Sequence, residues 1–274
     1  MTGVQTCALP ISKIIAVYSV KGGVGKSSLA VNLAAISAIY GGHKTLLWDL
    51  DAQGSASFLC GETETKASAT AIFSRDVAPS AFIVETRWQS FAVLAADPSL
   101  RAAEHLLHDI EKPKRLRKIL GNLDGHYDYI FLDCPPGLTE LSDQVFRAAD
   151  LILIPCVPTA LSARAMDQLI AYMAGLKGKA PQIMSIISMA DRRKALHRAF
   201  IEDRPDWLIV PQSSLIERMT EECAPLEVFA PNAKPAIALR AIWAEIYQRI
   251  SASQAGKERV RHRGRPRIPK QAKS

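Results

Sequence analysis

The sequence predicts an α/β protein built on a mostly parallel, twisted sheet with helices on both faces. Three observations carry this prediction. Short apolar runs rich in β-branched residues alternate with stretches of helical composition along most of the chain. Strands alternating with helices imply a parallel sheet that is covered on both sides. A glycine-rich loop and two acids, Asp49 and Asp133, fall at the carboxyl ends of the runs, which is where such sheets bind ligands.

Taken in order, residues 13–20 (KIIAVYSV) read as a buried strand, followed by the glycine loop. Residues 26–40 read as a helix ended by Gly41 and Gly42. A second strand covers 44–49 and a third 91–94. Residues 102–120 are mostly helical and basic in their second half (Lys112, Lys114, Arg115, Arg117, Lys118), read as a solvated helix face. Residues 129–133 (YIFLD) form a strand that ends in an acid, before Cys134-Pro135-Pro136-Gly137. Two more apolar strands lie at 151–155 and 182–188, and a last short one at 207–211. The helical stretches between and after them include 160–174 and 237–250.

A hydrophobic fraction of 48% over 274 residues is enough for a self-sufficient core. No apolar run reaches the roughly 20 residues needed to cross a bilayer. The five cysteines include no CxxC pair, which argues against a zinc or disulfide framework and for a reducing cytoplasm. Residues 1–11 (MTGVQTCALPI) match the in-frame translation of a common sequencing adaptor and are expected to be non-native, with the native chain resuming near Ser12. The net charge of +7 has one source: residues 257–274 hold eight basic residues against Glu258 alone, so the rest of the chain sums to zero. A disordered basic tail over 253–274 is expected, with a polyanion as its natural partner.

The glycine loop is the most informative segment. Phosphate binding needs glycines, so that backbone N–H groups approach the oxygens, and a helix N-terminus behind them. Gly22, Gly23, Val24 and Gly25, leading into Lys26, Ser27 and Ser28, supply both. Lys26 is placed to reach the β- and γ-phosphates and the Ser27 hydroxyl to ligate Mg²⁺. The usual first glycine is replaced by Val20, and Lys21 follows it.

That departure makes KGGVGKSS resemble the deviant Walker A box of the ParA/MinD family of P-loop ATPases. LLWDLDAQGSAS over 46–57 resembles a second family segment, with Ala52 in place of the usual proline, and YIFLDCPPG a third. The resemblance implies that Lys21 reaches across an ATP-bound homodimer to the partner's phosphates. It implies that Asp51 orients the attacking water, that Asp49 helps to organise the metal, and that Asp133 holds Mg²⁺ through water. Residues 210–231 and 189–193 resemble the segments around the base, which implies that Pro211 and Asp191 line the adenine site and puts Ser188 where members carry a polar base contact. An ATPase domain over 12–252 is expected.

Members of the family act as ATP-dependent switches that position DNA or protein cargo and are released by a ParB-like or cargo-adaptor partner. The tail favours the ParA-like, nucleoid-associated branch. After Ile250 its only sizeable aliphatics are Val260 and Ile268, too few for a membrane-binding helix. Arg263-Gly264-Arg265-Pro266 resembles an AT-hook core, and Arg261, Arg263, Arg265 and Arg267 are candidate DNA contacts. The alternatives are a MinD-like membrane-associated ATPase and a DNA-binding regulator with little ATPase activity. An iron–sulfur reductase would need paired cluster cysteines, and only Cys134 lies near the site.

Overall fold

The computed structural model describes residues 11–62, 68–74, 77–110, 114–176, 178 and 180–263. Their strands are β1 (Lys13–Val17), β2 (Thr45–Asp49), β3 (Val84–Glu85), β4 (Phe91–Leu94), β5 (Tyr129–Asp133), β6 (Leu151–Cys156), β7 (Gln182–Ala190) and β8 (Leu208–Pro211). They form one sheet in the order β3-β4-β2-β5-β1-β6-β7-β8. Every pairing is parallel except that of β3 with β4. The two-residue β3 is too short to leave a sequence signal, and it closes the sheet edge.

Residues alternate strictly between the two faces. Ile14 and Ala16 of β1, Leu46 and Trp48 of β2, and Ile130 and Leu132 of β5 join one buried cluster. Ile15, Val17, Leu47, Phe131, Leu151 and Leu153 join the other. The first face is covered by α3 (Ala69–Ser74), α4 (Leu100–Ile110), α5 (Arg115–Leu120), α6 (Glu140–Ala148) and α7 (Ala160–Gly175). The second lies under α1 (Lys26–Ala35), α2 (Ser55–Leu59), α9 (Ser214–Glu222), α10 (Leu226–Phe229) and α11 (Lys234–Arg263). Helix α8 (Ala195–Glu202) packs at the β7 end against a small third cluster around Ile187 and Ile201.

Three differences from the sequence reading have physical causes. The first helix does not stay α-helical to residue 40, because Ile36–Tyr40 widens into a π turn. That turn is sealed by the Gly41 N–H donating to Ile36 O at 2.8 Å, at a point where a Cβ would stand 2.6 Å from Ser37 O. The stretch over 102–120 is two helices rather than one, and of its basic residues Lys114, Arg117 and Lys118 are exposed whereas Arg115 is not. Arg115 is buried and donates to Phe73 O at 2.6 Å, and Arg117 donates to Ala148 O at 3.0 Å, so both fasten neighbouring segments by their guanidinium groups. Finally, α11 continues past residue 250 as far as Arg263, into the segment expected to be disordered. Ala252, Gln254, Ala255, Lys257 and Glu258 are all helix formers, which favours that continuation. Arg261 and Arg263 fall on this helix, whereas Arg265 and Arg267 lie outside the described residues.

Helix α11 is keyed to the sheet by Trp243. Its ring meets Tyr129 edge-on at 4.9 Å and lies 6.1 Å from Phe131. Trp243→Ala is expected to cost about 3–5 kcal/mol and to lower the urea midpoint accordingly. A midpoint within error of wild type would show that α11 contributes little to the fold.

Candidate nucleotide-binding site

The site forms where β1, β2 and β5 end side by side. In register, Val17 pairs with Asp133 and Asp49 also pairs with Asp133. The loop from Tyr18 to Gly25 leaves β1 there and runs into α1. Gly23 and Gly25 have φ of 70° and 85°, a left-handed conformation that side chains disfavour. Helix α1 starts with no capping side chain and no acid in its first turn. Its first N–H groups are therefore left for a ligand, and its positive dipole end is uncompensated.

Lys26 is buried and its Nζ donates to Lys21 O across the loop at 3.2 Å. Ser27 follows at the start of the helix. The Tyr18 hydroxyl donates to Gly137 O at 2.5 Å, which ties the loop's approach to the segment after β5.

The acids differ in their surroundings. Both oxygens of Asp49 are engaged. Oδ1 accepts from Asp51 N at 3.1 Å, and Oδ2 accepts from the N–H and hydroxyl of Ser57, each at 2.8 Å. Asp49 thus organises the 51–57 loop, while burial raises its pKa to about 6. Asp51 is half-buried and accepts from Gln53 N at 3.0 Å. Asp133 is 0% exposed, and neither of its oxygens has a hydrogen-bond partner. Burial first, and Asp49 second, push its carboxyl well above the usual carboxylate range, while Ser27 and Lys26 pull the other way. A buried acid with free lone pairs beside a lysine and a serine fits a hydrated cation.

Beside α1 lies an open pocket lined by Gly25, Ser28, Leu29, Ser188, Met189, Pro211, Gln212 and Ile216 among others. Pro211 is among the lining residues. Asp191 is not among the lining residues. Its carboxylate is held by Arg193 through contacts of 2.9 and 3.0 Å, which keep its pKa at about 2. Met189 and Gln212 fall within the two segments read as lying around the base, though neither was singled out, and Asn32 was not foreseen. Met189 has φ 55° at an irregularity of the β7–β8 register. Asn32 lines the cavity, but it is spent on structure: it donates to Ser28 O at 2.7 Å and accepts from Leu226 N at 2.8 Å.

The raised pKa values set a sign for stability. Between the ordinary carboxylate value of 3.8 and about 6 for Asp49, the folded chain keeps a proton that the unfolded chain has lost. Rising pH therefore costs the ligand-free fold stability across that window, and the raised carboxyl of Asp133 acts with the same sign. Asp133→Asn is accordingly expected to raise the melting temperature of the ligand-free protein at pH 7 and to remove the Mg²⁺-dependent part of ATP binding. A lower melting temperature, or full Mg²⁺-dependent binding, would contradict this picture of Asp133.

Comparison with known proteins agrees with this geometry. The AAA_31 family, described as an AAA domain, matches residues 12–186. The chromosome partitioning protein ParA of Myxococcus xanthus (strain DK1622) is 36% identical over 148 residues, covering 53% of this chain and 52% of the relative. The sporulation initiation inhibitor protein Soj of Bacillus subtilis (strain 168) is 28% identical over 240 residues, covering 82% and 94%. The match thus spans about half the length of the first relative and nearly all of the second. A plasmid partition protein of Borrelia burgdorferi B31 bound to AMPPNP shares the fold, with a TM-score of 0.74 at 23% identity over 87% of this chain and 99% of that one. The chain belongs to the AAA_31 family and to the ParA family of proteins.

Proposed function

We propose that this chain is a slow Mg²⁺-dependent ATPase that dimerises on binding ATP, holds DNA in that state, and positions DNA or protein cargo in the cytoplasm on the nucleoid. A ParB-like or cargo-adaptor protein would stimulate hydrolysis and release. The observation that carries the reading is the unpartnered Asp133 carboxylate beside Lys26 and Ser27 at the mouth of the glycine loop.

Among the described residues, no group of three or more His, Cys, Asp or Glu could hold a metal ion by itself. That suits Mg²⁺, which prefers one or two protein ligands, water and substrate phosphates. The Ser27 hydroxyl would ligate it directly and Asp133 through water. When bound, the ion offsets charge on the β- and γ-phosphates.

The chain's own residues supply the rest. The N–H groups from Gly22 to Ser28 would cradle the phosphates, and Lys26 would leave Lys21 O to meet the γ-phosphate. Asp51, carried on a loop that Asp49 anchors, would orient water for in-line attack. Lys21 would face the partner's phosphates. Pro211 and the apolar wall of the cavity would hold the base. No helix among the described residues is long and apolar enough to cross a membrane, and the basic charge at the chain's end fits DNA.

Two sets of outcomes follow from these roles. Asp51→Ala should bind ATP and dimerise yet hydrolyse at least tenfold more slowly, on the scale that misplacing a reacting water costs, whereas Lys21→Ala should stay monomeric with ATP in sedimentation. Wild-type turnover in the first, or an ATP-dependent dimer in the second, would remove that residue from its role. For DNA, the slope of log K against log salt is about −0.9 per phosphate neutralised. A chain ending at Gly256 should show a slope flatter by the roughly five to eight phosphates the missing segment would cover. An unchanged slope would place the DNA surface on the globular domain.

A further inference from the structure

We propose that the Ser188 hydroxyl is a positioning group that clamps the phosphate loop from the base side of the site. The inference rests on the reading of the adjoining cavity as the nucleoside pocket. Ser188 Oγ donates to Val24 O at 2.8 Å in a buried hydrogen bond between residues 164 positions apart.

Val24 sits between Gly23 and Gly25, both left-handed at φ 70° and 85°. The Val24–Gly25 peptide turns on ψ of Val24 and φ of Gly25, and Gly25, with no side chain, leaves it room to rotate. Fixing its carbonyl toward β7 fixes the direction of the Gly25 N–H, because a planar trans peptide points the two in opposite directions. That N–H is one of the donors a phosphate would meet, so the clamp sets the loop for its ligand before the ligand arrives.

The clamp is itself held in place. Met189, the next residue, has φ 55°, and the β7–β8 register shifts between Ile187 and Ala190. An irregularity of this kind re-aims the side chains around it. The fit is close: a Cβ on Gly25 would stand 3.3 Å from Ser188 Oγ and 3.5 Å from Met189 Cε. Occupation of the cavity wall and the shape of the phosphate loop are therefore coupled through one hydroxyl.

The test uses the full chain carrying Ser188→Ala, Ser188→Val or Ser188→Thr. Steady-state ATPase assays are paired with titrations of Mg-ATP and of Mg-tripolyphosphate, which has no base. Losing the donor leaves a buried carbonyl unpaired, so KM and Kd for ATP should rise roughly tenfold in the Ala and Val variants. Turnover should stay within about twofold, as for an interaction made equally in ground and transition states. Thr, which keeps the hydroxyl, should restore affinity. Tripolyphosphate should weaken in parallel with ATP, because the clamp acts on the phosphate loop. Wild-type affinity in the Ala and Val variants overturns the clamp. So does a loss confined to ATP, which would make Ser188 a base contact. If wild type itself fails to bind ATP saturably, the nucleotide reading falls and the clamp falls with it.

Discussion

A carboxylate with no hydrogen-bond partner, buried where three strands end together, is the constraint on which this domain turns. Asp133 has Val17 on one side and Asp49 on the other, so neither the sheet nor solvent relieves it. An ionised group in that position costs several kcal/mol unless a countercharge meets it. Lys26 and Ser27 are brought to it by the same helix whose capless N-terminus waits for an anion. The empty lone pairs, the lysine and the open helix end are separate costs to the ligand-free fold. A cation and a phosphate chain would relieve all of them together, which is why they lie within one loop's reach.

The rest of the molecule keeps that end of the sheet rigid. The two faces are packed independently, one by α3 to α7 and the other by α1 and α2 with the C-terminal helices α9 to α11. Helix α1 is pinned at its middle, where Asn32 bridges Ser28 O and Leu226 N. The loop is thus gripped by the strands that precede it, by the helix that follows it, and by Ser188 from the side. Asp49 works differently from Asp133 although the two are neighbours in register. Its oxygens are consumed in holding the Asp51 loop, so it acts on the site through backbone geometry.

The phosphate side of the site was legible in the sequence because its residues are contiguous. Strand, glycine loop and helix appear within residues 13–35, and the acids mark the ends of apolar runs. The sheet was legible for the same reason: β4 and β5 fall on the residues expected, and β2, β6 and β8 lie within one. The base side was harder to read. It is assembled from α1, the end of β7 and the segment after β8, brought together by packing over some 160 to 190 residues of separation. The left-handed Met189 leaves no pattern in a run of apolar residues. Asp191 resembled a lining residue by position, but Arg193 two places on claims its carboxylate. Helix α11 begins before and runs on past the 237–250 stretch that reads as helix in the sequence, from Lys234 to Arg263.

The account's central claim is that Asp133, buried without a hydrogen-bond partner at the mouth of the glycine loop, takes up a hydrated cation that arrives with the nucleotide. Isothermal titration of ATP into wild type and Asp133→Asn, with Mg²⁺ and with a chelator, measures that directly. Tighter ATP binding with Mg²⁺ in wild type, and no such gain in the variant, is the result the account predicts. Equal affinity of wild type with Mg²⁺ and with the chelator, or a full Mg²⁺ gain in Asp133→Asn, would contradict it.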